Sequence, residues 1–454
     1  MATSAAVIGG GPCGLMALKN LREDGFNATL YESRDWVGGL WKYSTDDALS
    51  TAENTIFNTS KYRAAVTDFP MPDDMDDFPT APQLYKYWND YCNHFQLWPH
   101  IKLGAKVLTV RREQGQWALD VASNNGESQT HYFDKVAIST GPFTKPKQPK
   151  LEGIEKFSGT AIHGTKFHEP AKYTGKNVLI VGLHASASDV ACSLAGKASK
   201  VFISHRSGVV FIPRFAEDGS VFDKMPPLWF TLFSIYLSAI WPAAFYWILD
   251  TLLGIASKKA YPNIPPSWGL SPAPSIAVSS PLITTELYPH LESGACEPVP
   301  AIKRITGPST IELTSGRTLP NIDTIIFCTG YDFSIPLTLS PQDLNPYPNP
   351  GDPPYLYRGI FPLHPDPEIR NSLAFIGQGA IPYPGFCQFE ILTMAISQIW
   401  RASSSASLPP LPEMQAWHLN FLQWRHHTIR KYSATSSFYV AILPMADHMI
   451  ASRG

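Results

Sequence analysis

Short apolar runs alternate with helical stretches along the chain, and two of these alternations have the same form. In the first, residues 5–8 are all apolar, and a glycine-rich turn leads to residues 15–18, whose spacing suits the inner face of a helix. In the second, the run 177–181 is followed by a turn at Gly182 and a helical stretch at 188–195. Each run has the length of a buried parallel strand, so the pattern predicts a strand, a turn and a helix twice over.

The first turn has the glycine spacing of a dinucleotide site. Gly9 permits the tight turn, Gly11 lets the backbone approach a pyrophosphate, and Gly14 allows the helix to pack on the strand. The anion then rests on the helix N-terminus. Such a turn alone also occurs without a ligand, but Glu32 lies 21 residues after Gly11, where a carboxylate holds a ribose hydroxyl. The predicted site comprises Gly9, Gly10, Gly11, Pro12, Cys13, Gly14 and Glu32.

The second turn departs from this pattern. It keeps Gly182, but His184 stands at the second glycine position and Ala187 at the third. Alanine adds only a methyl group to the helix contact, whereas the histidine ring crowds a pyrophosphate unless it swings away or donates a hydrogen bond. The next strand ends at Arg206, which pairs with a 2′-phosphate where a carboxylate would repel it. We therefore expect FAD in the first site and NADPH in the second; the alternative for Arg206 is an ordinary surface charge.

Composition limits the range of functions. The 454 residues exceed what one hydrophobic core usually supports, and 44% of them are hydrophobic, which predicts two domains. A formal net charge of -2 gives no electrostatic reason to expect nucleic acid. The six cysteines never form C-x-x-C, and the acidic residues of 73–77 lack EF-hand spacing, so we predict no metal. The N-terminus leads directly into the first strand without a signal sequence, which favours the cytoplasm or its membranes.

Three further segments have recognisable patterns. Aromatic residues three or four apart over 84–95 predict a helix whose stripe packs in the core. The runs 106–110 and 117–121 predict an antiparallel hairpin. The aromatic stretch 417–424 predicts a helix that packs on the FAD domain.

The stretch 228–249 is apolar over 22 residues and carries no charge before Asp250. Its length would suffice for one membrane span, but a single crossing would separate the two halves of the chain, and Pro242 favours a break between two shorter helices. We interpret it as a helical insertion that caps the substrate tunnel, or that lies peripherally in a membrane interface. Burial against the rest of the protein is the alternative.

One string makes a family resemblance specific. Residues 157–168 read F-x-G-x-x-x-H-x-x-x-F-H. Together with the two dinucleotide turns, the sequence Gly-Gly-Leu-Trp at 38–41, Asn58 and the string 327–332, it resembles the flavin-containing monooxygenase family, the class B flavoprotein monooxygenases. The ending Phe167-His168 stands where Baeyer-Villiger enzymes typically have Trp and Pro or Asp, which favours the branch that oxidises heteroatoms.

The resemblance implies an α/β fold with two Rossmann-like dinucleotide-binding domains, the NADPH domain being inserted into a discontinuous FAD domain. The expected division gives residues 1–164 and 322–454 to the FAD domain, and residues 165–321 to the NADPH domain with the apolar insertion at about 225–280. The strand at 325–332 is expected to carry the chain back into the FAD domain.

The resemblance also implies the chemistry. In this family NADPH reduces FAD, the reduced flavin reacts with O2 at C4a, and the resulting hydroperoxide oxygenates nitrogen or sulfur of a small, fairly apolar molecule. Baeyer-Villiger oxygenation of a ketone is the alternative within the class. A flavin disulfide reductase would need a redox-active cysteine pair, which the spacing does not offer. A non-catalytic protein that has lost NADPH binding is a third possibility, supported by His184. The sequence predicts neither the substrate nor the oligomeric state.

Site residues follow from the same resemblance. Asn58 matches the family asparagine that contacts flavin and nicotinamide, and it is the predicted catalytic residue. Further predicted FAD contacts are Leu40, Trp41, Asn58, Thr59, the backbone at Val107 and Gln378, which ends a strand beneath the flavin. The predicted NADPH contacts are Gly182, Ser186, Ala187, Ser188, Asp189 and Arg206.

Overall fold

The fold contains two parallel β-sheets of five strands each. We analysed a computed structural model that describes residues 2–45, 49–224, 227–348, 352–378, 385–401 and 406–432. The first sheet has, in spatial order, the strands Leu373–Phe375, Lys135–Ile138, Ser4–Ile8, Asn27–Tyr31 and Ile101–Lys102. The second has Cys296–Pro300, Lys200–His205, Asn177–Val181, Thr324–Phe327 and Thr160–His163.

The first sheet is covered on both faces, as parallel sheets usually are. Its central strand is fully buried at Ala5, Ala6 and Val7. The helix Pro12–Glu23 follows this strand and packs against the helix Cys387–Trp400. The apolar run and the glycine turn of the sequence therefore form a Rossmann-like unit.

The second sheet repeats this arrangement around the strand Asn177–Val181, which is followed by the helix Ala185–Leu194. Parallel strands flank the central strand on both sides, at Lys200–His205 and Thr324–Phe327. The predicted α/β class with two Rossmann-like units is thus confirmed.

The prediction for the strand after residue 322 was wrong. Thr324–Phe327 does not return the chain to the first sheet but pairs with the central strand of the second, with Leu179 opposite Ile325. Its other edge pairs with Thr160–His163. All four of its residues are buried, so the strand needs parallel neighbours and cover on both faces, which the second sheet supplies.

These pairings bear on the predicted boundaries at 164/165 and 321/322, which would cut off two strands of the second sheet. The chain passes between the sheets at two segments, which lie side by side as the antiparallel strands Lys145–Pro146 and Tyr331–Asp332. Lys147 N–H donates to the Gly330 carbonyl at 2.9 Å. We therefore propose boundaries at this ribbon, near residues 147 and 330.

Smaller elements complete the described part of the chain. The predicted hairpin is confirmed as Ala105–Glu113 and Gln116–Ser123, in a sheet with Ser128–Phe133 and Thr338–Ser340. The predicted aromatic helix is Ala81–His94, with Trp88 and Tyr91 in the core. Other helices are Lys61–Ala64, Leu287–Glu292, Pro367–Arg370 and Leu411–Lys431. Other strands pair as Phe211–Ile212 with Leu282–Ile283, as Ile302–Gly307 with Thr310–Leu313 and Thr318–Leu319, and as Leu356–Tyr357 with Phe361–Pro362.

The apolar stretch forms two helices, Leu228–Ile240 and Pro242–Ala260, which we call the insertion helices. The second starts at Pro242, whose fixed φ and missing N–H suit a first helical position, so the predicted break is confirmed. The segment that contains the insertion helices begins after the strand Phe211–Ile212 and ends before the strand Leu282–Ile283, and these two strands pair with each other. Among the described residues, no helix combines the length and apolar character needed to cross a membrane.

Candidate active site

The first glycine turn is closed by two contacts that exclude any side chain. Gly9 has φ +108°, and a Cβ atom there would lie 2.5 Å from the carbonyl oxygen of Ser139. A Cβ atom at Gly14 would lie 1.8 Å from the carbonyl oxygen of Gly9. At Gly11, by contrast, the nearest atom would be the Gly39 Cα at 3.7 Å. The turn is therefore tight where strand and helix meet and open at Gly11, where a pyrophosphate is expected.

The helix that follows presents an uncapped N-terminus. Gly11 is its N-cap, which has no side chain to cap the first turn, and Pro12 is its first residue. Next to the turn, the buried Ser139 hydroxyl has no hydrogen-bond partner among the described residues. Burial raises the pKa of the Cys13 thiol to about 12, so this group is neutral. A helix N-terminus and an unpaired hydroxyl beside a neutral thiol suit a bound diphosphate.

Glu32 is held beside this turn. One carboxylate oxygen accepts the Gly10 N–H at 2.5 Å, and the other accepts the Arg34 N–H at 2.9 Å. The Arg34 guanidinium donates to the carbonyls of Gly39 at 2.8 Å and Leu49 at 2.7 Å. The carboxylate is therefore fixed by backbone donors at the strand end, where a ribose is expected.

Trp41 forms a rigid wall near the turn. It ends the short 3-10 helix Gly39–Trp41, in which Leu40 is also half-buried. The Trp41 ring lies edge-on to Phe57, with centroids 5.1 Å apart, and Phe57 stacks on Phe386 at 5.3 Å. Contacts of this kind fix ring orientations.

Three other predicted FAD residues lie around the same sheet. Val107 is buried on the strand Ala105–Glu113, whose first N–H donates to the Glu32 carbonyl at 2.8 Å. Gln378 is fully buried and donates to the Thr140 hydroxyl at 3.3 Å. Thr59 is buried in the loop that carries Asn58. Gln378 thus lies at the carboxyl edge of the first sheet, and Val107 lies on the antiparallel sheet next to it, while the contacts of all these residues with the cofactor remain predictions.

The second turn has the same close contact between a glycine and a carbonyl oxygen as the first. Gly182 has φ +117°, and a Cβ atom there would lie 2.4 Å from the Cys328 carbonyl oxygen. Cys328 follows the strand Thr324–Phe327 just as Ser139 follows Lys135–Ile138. The Thr-Gly pairs 140–141 and 329–330 are therefore equivalent positions in the two sheets.

The predicted NADPH residues lie around this turn. His184 is the N-cap of the helix Ala185–Leu194, and burial lowers its pKa, which favours the neutral ring. Ser186 is exposed, whereas Ala187 and Ser188 are buried. Arg206 is exposed directly after the strand Lys200–His205.

Comparisons with known proteins agree with this geometry. The family model of flavin-binding monooxygenase-like proteins matches residues 2–386. This chain belongs to that family. It is 34% identical to the monooxygenase aurF of Gibberella zeae over 88% of this chain and 77% of the relative, and 31% identical to human flavin-containing monooxygenase 2 over 83% and 69%.

Solved structures share the fold of this monooxygenase. The S-allyl-L-cysteine S-oxygenase of Allium sativum gives a TM-score of 0.68 at 19% identity, covering 100% of this chain and 88% of the other. A closed structure of cyclohexanone monooxygenase gives 0.71 at 16% identity, covering 99% and 97%. The monooxygenase uses FAD and NADPH, so the predicted family, enzyme class and cofactors are confirmed.

The loop that carries Asn58 lies between the two units. Asn58 is half-buried, and no group of the described residues bonds its side chain. On one side of it, the Thr55 hydroxyl donates to the Asp189 carboxylate at 2.7 Å. On the other, the Ser60 N–H donates to the Asp223 carboxylate at 2.8 Å. The second unit and the root of the insertion therefore position the predicted catalytic loop, while the Asn58 amide is free for ligands.

Asp189 makes a contact with the first unit that the sequence did not predict. Its carboxylate bonds Thr55 of the first unit, and burial raises its pKa to about 6. We propose that it joins the two units, while its predicted contact with NADPH is untested.

Sequence reasoning missed Thr55, Asp223 and Ser139, which act through partners far along the chain. Only Ser139 had a local signal, the Thr-Gly that follows it and recurs at 329–330. No cluster of metal-ligating side chains occurs in the part of the chain that the structure describes.

The glycines of the first turn provide a test of this geometry. We expect Gly14→Ala to lower the yield of folded protein, because its methyl group would overlap the Gly9 carbonyl oxygen. Gly11→Ala should fold but retain about tenfold less FAD, because only the ligand needs the space beside Gly11. The flavin absorbance per protein and the thermal midpoint measure the two effects. Gly254→Ala, whose methyl would contact no atom within 4 Å, is the control. Full FAD content in Gly11→Ala would contradict the assignment of this turn.

A second prediction concerns Asp189 and pH. Since its pKa is raised to about 6, the folded protein keeps a proton between pH 4 and 6 that the unfolded chain has lost, so stability falls as the pH rises through this window. Asp189→Asn still accepts a hydrogen bond from Thr55 and does not titrate. We expect it to be more stable than the wild type at pH 7.5, by about 2 kcal/mol, with a smaller difference at pH 4.5.

Thermal midpoints at both pH values measure this difference. Asp76→Asn, at an exposed aspartate, serves as the control and should show no such trend. A difference between Asp189→Asn and wild type that stays constant with pH would contradict the prediction.

Proposed function

We propose that this enzyme oxygenates nitrogen or sulfur in a small, fairly apolar molecule. Bound FAD would supply the oxidation chemistry, accepting electrons from NADPH and activating O2 at C4a. The observation that carries the proposal is the free amide of Asn58, on a loop held between the FAD turn and the NADPH helix. One relative, of Pan troglodytes, is named as an N-oxide-forming dimethylaniline monooxygenase, at 32% identity over 83% of this chain.

The chain's own groups would bind and orient the reactants rather than move protons. Trp41 and Phe57 form a half-buried aromatic surface near the FAD turn, and the buried Phe386 supports it from behind. A surface of this kind holds a flat ligand and excludes water, and a reaction driven by the flavin needs little acid-base machinery.

Product analysis tests the reaction type. The FAD-loaded enzyme is supplied with NADPH, O2 and either a tertiary amine, a thioether or a cyclic ketone. We expect N-oxide or sulfoxide with matching NADPH consumption. Formation of an ester or lactone alone would instead support the Baeyer-Villiger alternative, and a flavin that NADPH fails to reduce without air would refute the proposed activity.

Asn58 is the most direct target for mutation. We expect Asn58→Ala to retain FAD, because no described residue bonds the Asn58 amide, but to lose product formation about 100-fold, the usual effect of removing one preorganised polar group. NADPH oxidation should continue, with release of hydrogen peroxide.

The matched control is Asn54→Ala, an asparagine of the same loop whose amide donates to the Asp189 carbonyl at 3.3 Å. In this variant, NADPH oxidation should remain coupled to product formation. Equal loss of coupling in both variants would show that only the loop's integrity matters and would remove Asn58 from its assigned role.

We further propose that the insertion helices contact a membrane interface peripherally. Large apolar side chains cover one side of both helices, with Trp229 67% and Trp247 70% exposed. Lys258 and Lys259 lie in the last turn. Exposed tryptophans beside lysines are typical of interfacial helices. The other exposed residues of this surface are Leu232, Phe233, Tyr236, Ile240, Trp241, Ile248, Leu252 and Ile255.

Vesicle binding tests this proposal. We expect the wild type to cosediment with phosphatidylcholine vesicles that contain phosphatidylserine, and the double variant Trp229→Ser, Trp247→Ser to bind at least about tenfold more weakly, since two large apolar side chains are removed. The control replaces Leu108 and Tyr132, exposed apolar residues of the antiparallel sheet, by serine. Equal binding of the two double variants would contradict a membrane role for the insertion.

A further inference from the structure

A histidine next to Arg206 has an unusual hydrogen-bonding environment. His205 ends the strand Lys200–His205, and its Nδ1 atom lies 3.0 Å from the carbonyl oxygen of Ser207. Its Nε2 atom lies 2.9 Å from the carbonyl oxygen of Trp268. Both neighbours are acceptors only. A neutral imidazole has one N–H and can serve one of them, whereas the imidazolium form serves both.

We propose that His205, as an imidazolium whose two N–H groups stay on the Ser207 and Trp268 carbonyls, places a second positive charge beside Arg206 near the 2′-phosphate of NADPH, and so helps to select NADPH over NADH. The proposal rests on the nucleotide position assigned to the turn at Gly182. In a Rossmann-like unit the 2′-phosphate lies at the end of the strand that follows the turn, which is where His205 and Arg206 stand.

The charges around this position favour the proposal. A 2′-phosphate carries close to two negative charges at neutral pH, so Arg206 alone does not balance it. Arg206 is exposed and makes no ion pair with any described residue. The segments next to His205, namely 207–209, 266–269 and 299–301, contain no charged side chain. Among these described segments and Arg206 itself, only Arg206 carries a charge, and none of them offers a carboxylate that would compete with the phosphate.

The ring is also held in place before any ligand binds. Gly269 has φ +64°, and a Cβ atom there would touch the His205 Cε1 atom at 3.4 Å. On the strand itself, the Ser204 hydroxyl donates to the Pro300 carbonyl at 3.0 Å. The imidazole is therefore preorganised, and little side-chain entropy is lost when a phosphate binds.

The alternative is a purely structural role, in which His205 only connects the loop at 266–269 to the strand by a hydrogen bond. Such a role would affect nucleotides with and without a 2′-phosphate alike. The preference for the phosphate, and the pH dependence of that preference, therefore distinguish the two.

The experiment measures binding of 2′,5′-ADP and 5′-AMP to the FAD-loaded enzyme by calorimetry between pH 5.5 and 8.5. The quantity of interest is the ratio of the two affinities. We expect His205→Gln, which keeps N–H donors but does not titrate, to lower this ratio about fivefold at pH 6. The difference should shrink as the pH rises, because a neutral ring brings no charge to the phosphate.

Two further variants complete the test. His205→Lys should keep the preference up to pH 8.5, because the charge then persists, and Arg206→Gln should lower it at every pH. An unchanged ratio in His205→Gln at pH 6, or equal weakening of both nucleotides, would overturn the proposal for His205 alone. Failure of the wild type to bind 2′,5′-ADP at all would also overturn the assigned nucleotide site.

Discussion

The structure depends on one close contact, which occurs twice. In each sheet the glycine that ends the central strand lies against the carbonyl of the residue that follows the neighbouring strand, Gly9 against Ser139 and Gly182 against Cys328. Neither position has room for a Cβ atom. This contact lets the chain turn directly into a helix whose N-terminus faces the carboxyl edge of the sheet. The favourable end of the helix dipole and the free amides therefore meet at the place where a dinucleotide phosphate can bind.

Specific bonds connect the two units that are expected to hold the nucleotides. The ribbon at 145–146 and 331–332 joins the connecting segments. The buried His163 of the family string strengthens this junction, because its Nδ1 accepts the Thr165 N–H and its Nε2 therefore donates to the Gly330 carbonyl at 3.2 Å. The conspicuous string of the sequence is thus a structural element of the junction.

The local parts of this fold could be predicted from the sequence, and the non-local parts could not. Glycine spacing, Glu32 and the break at Pro242 are set by neighbouring residues, so their patterns were sufficient. The strand at 324–327 offers four buried residues that would fit either sheet, and nothing within it encodes its partner. Likewise the bond between Asp189 and Thr55 could not be predicted, because the two residues lie 134 positions apart.

Non-local bonds also connect the insertion to the loop that carries Asn58. Asp223 accepts the Ser60 N–H, its carbonyl accepts a guanidinium N–H of Arg63 at 3.1 Å, and the Lys224 ammonium lies 3.7 Å from the centre of the Tyr62 ring. These contacts bind the segment just before the insertion helices to the residues just after Asn58. The insertion root cannot move away without breaking them, and the Ser60 amide would then lose its partner. Whatever surface holds the insertion helices therefore also constrains the loop that we assign to the flavin.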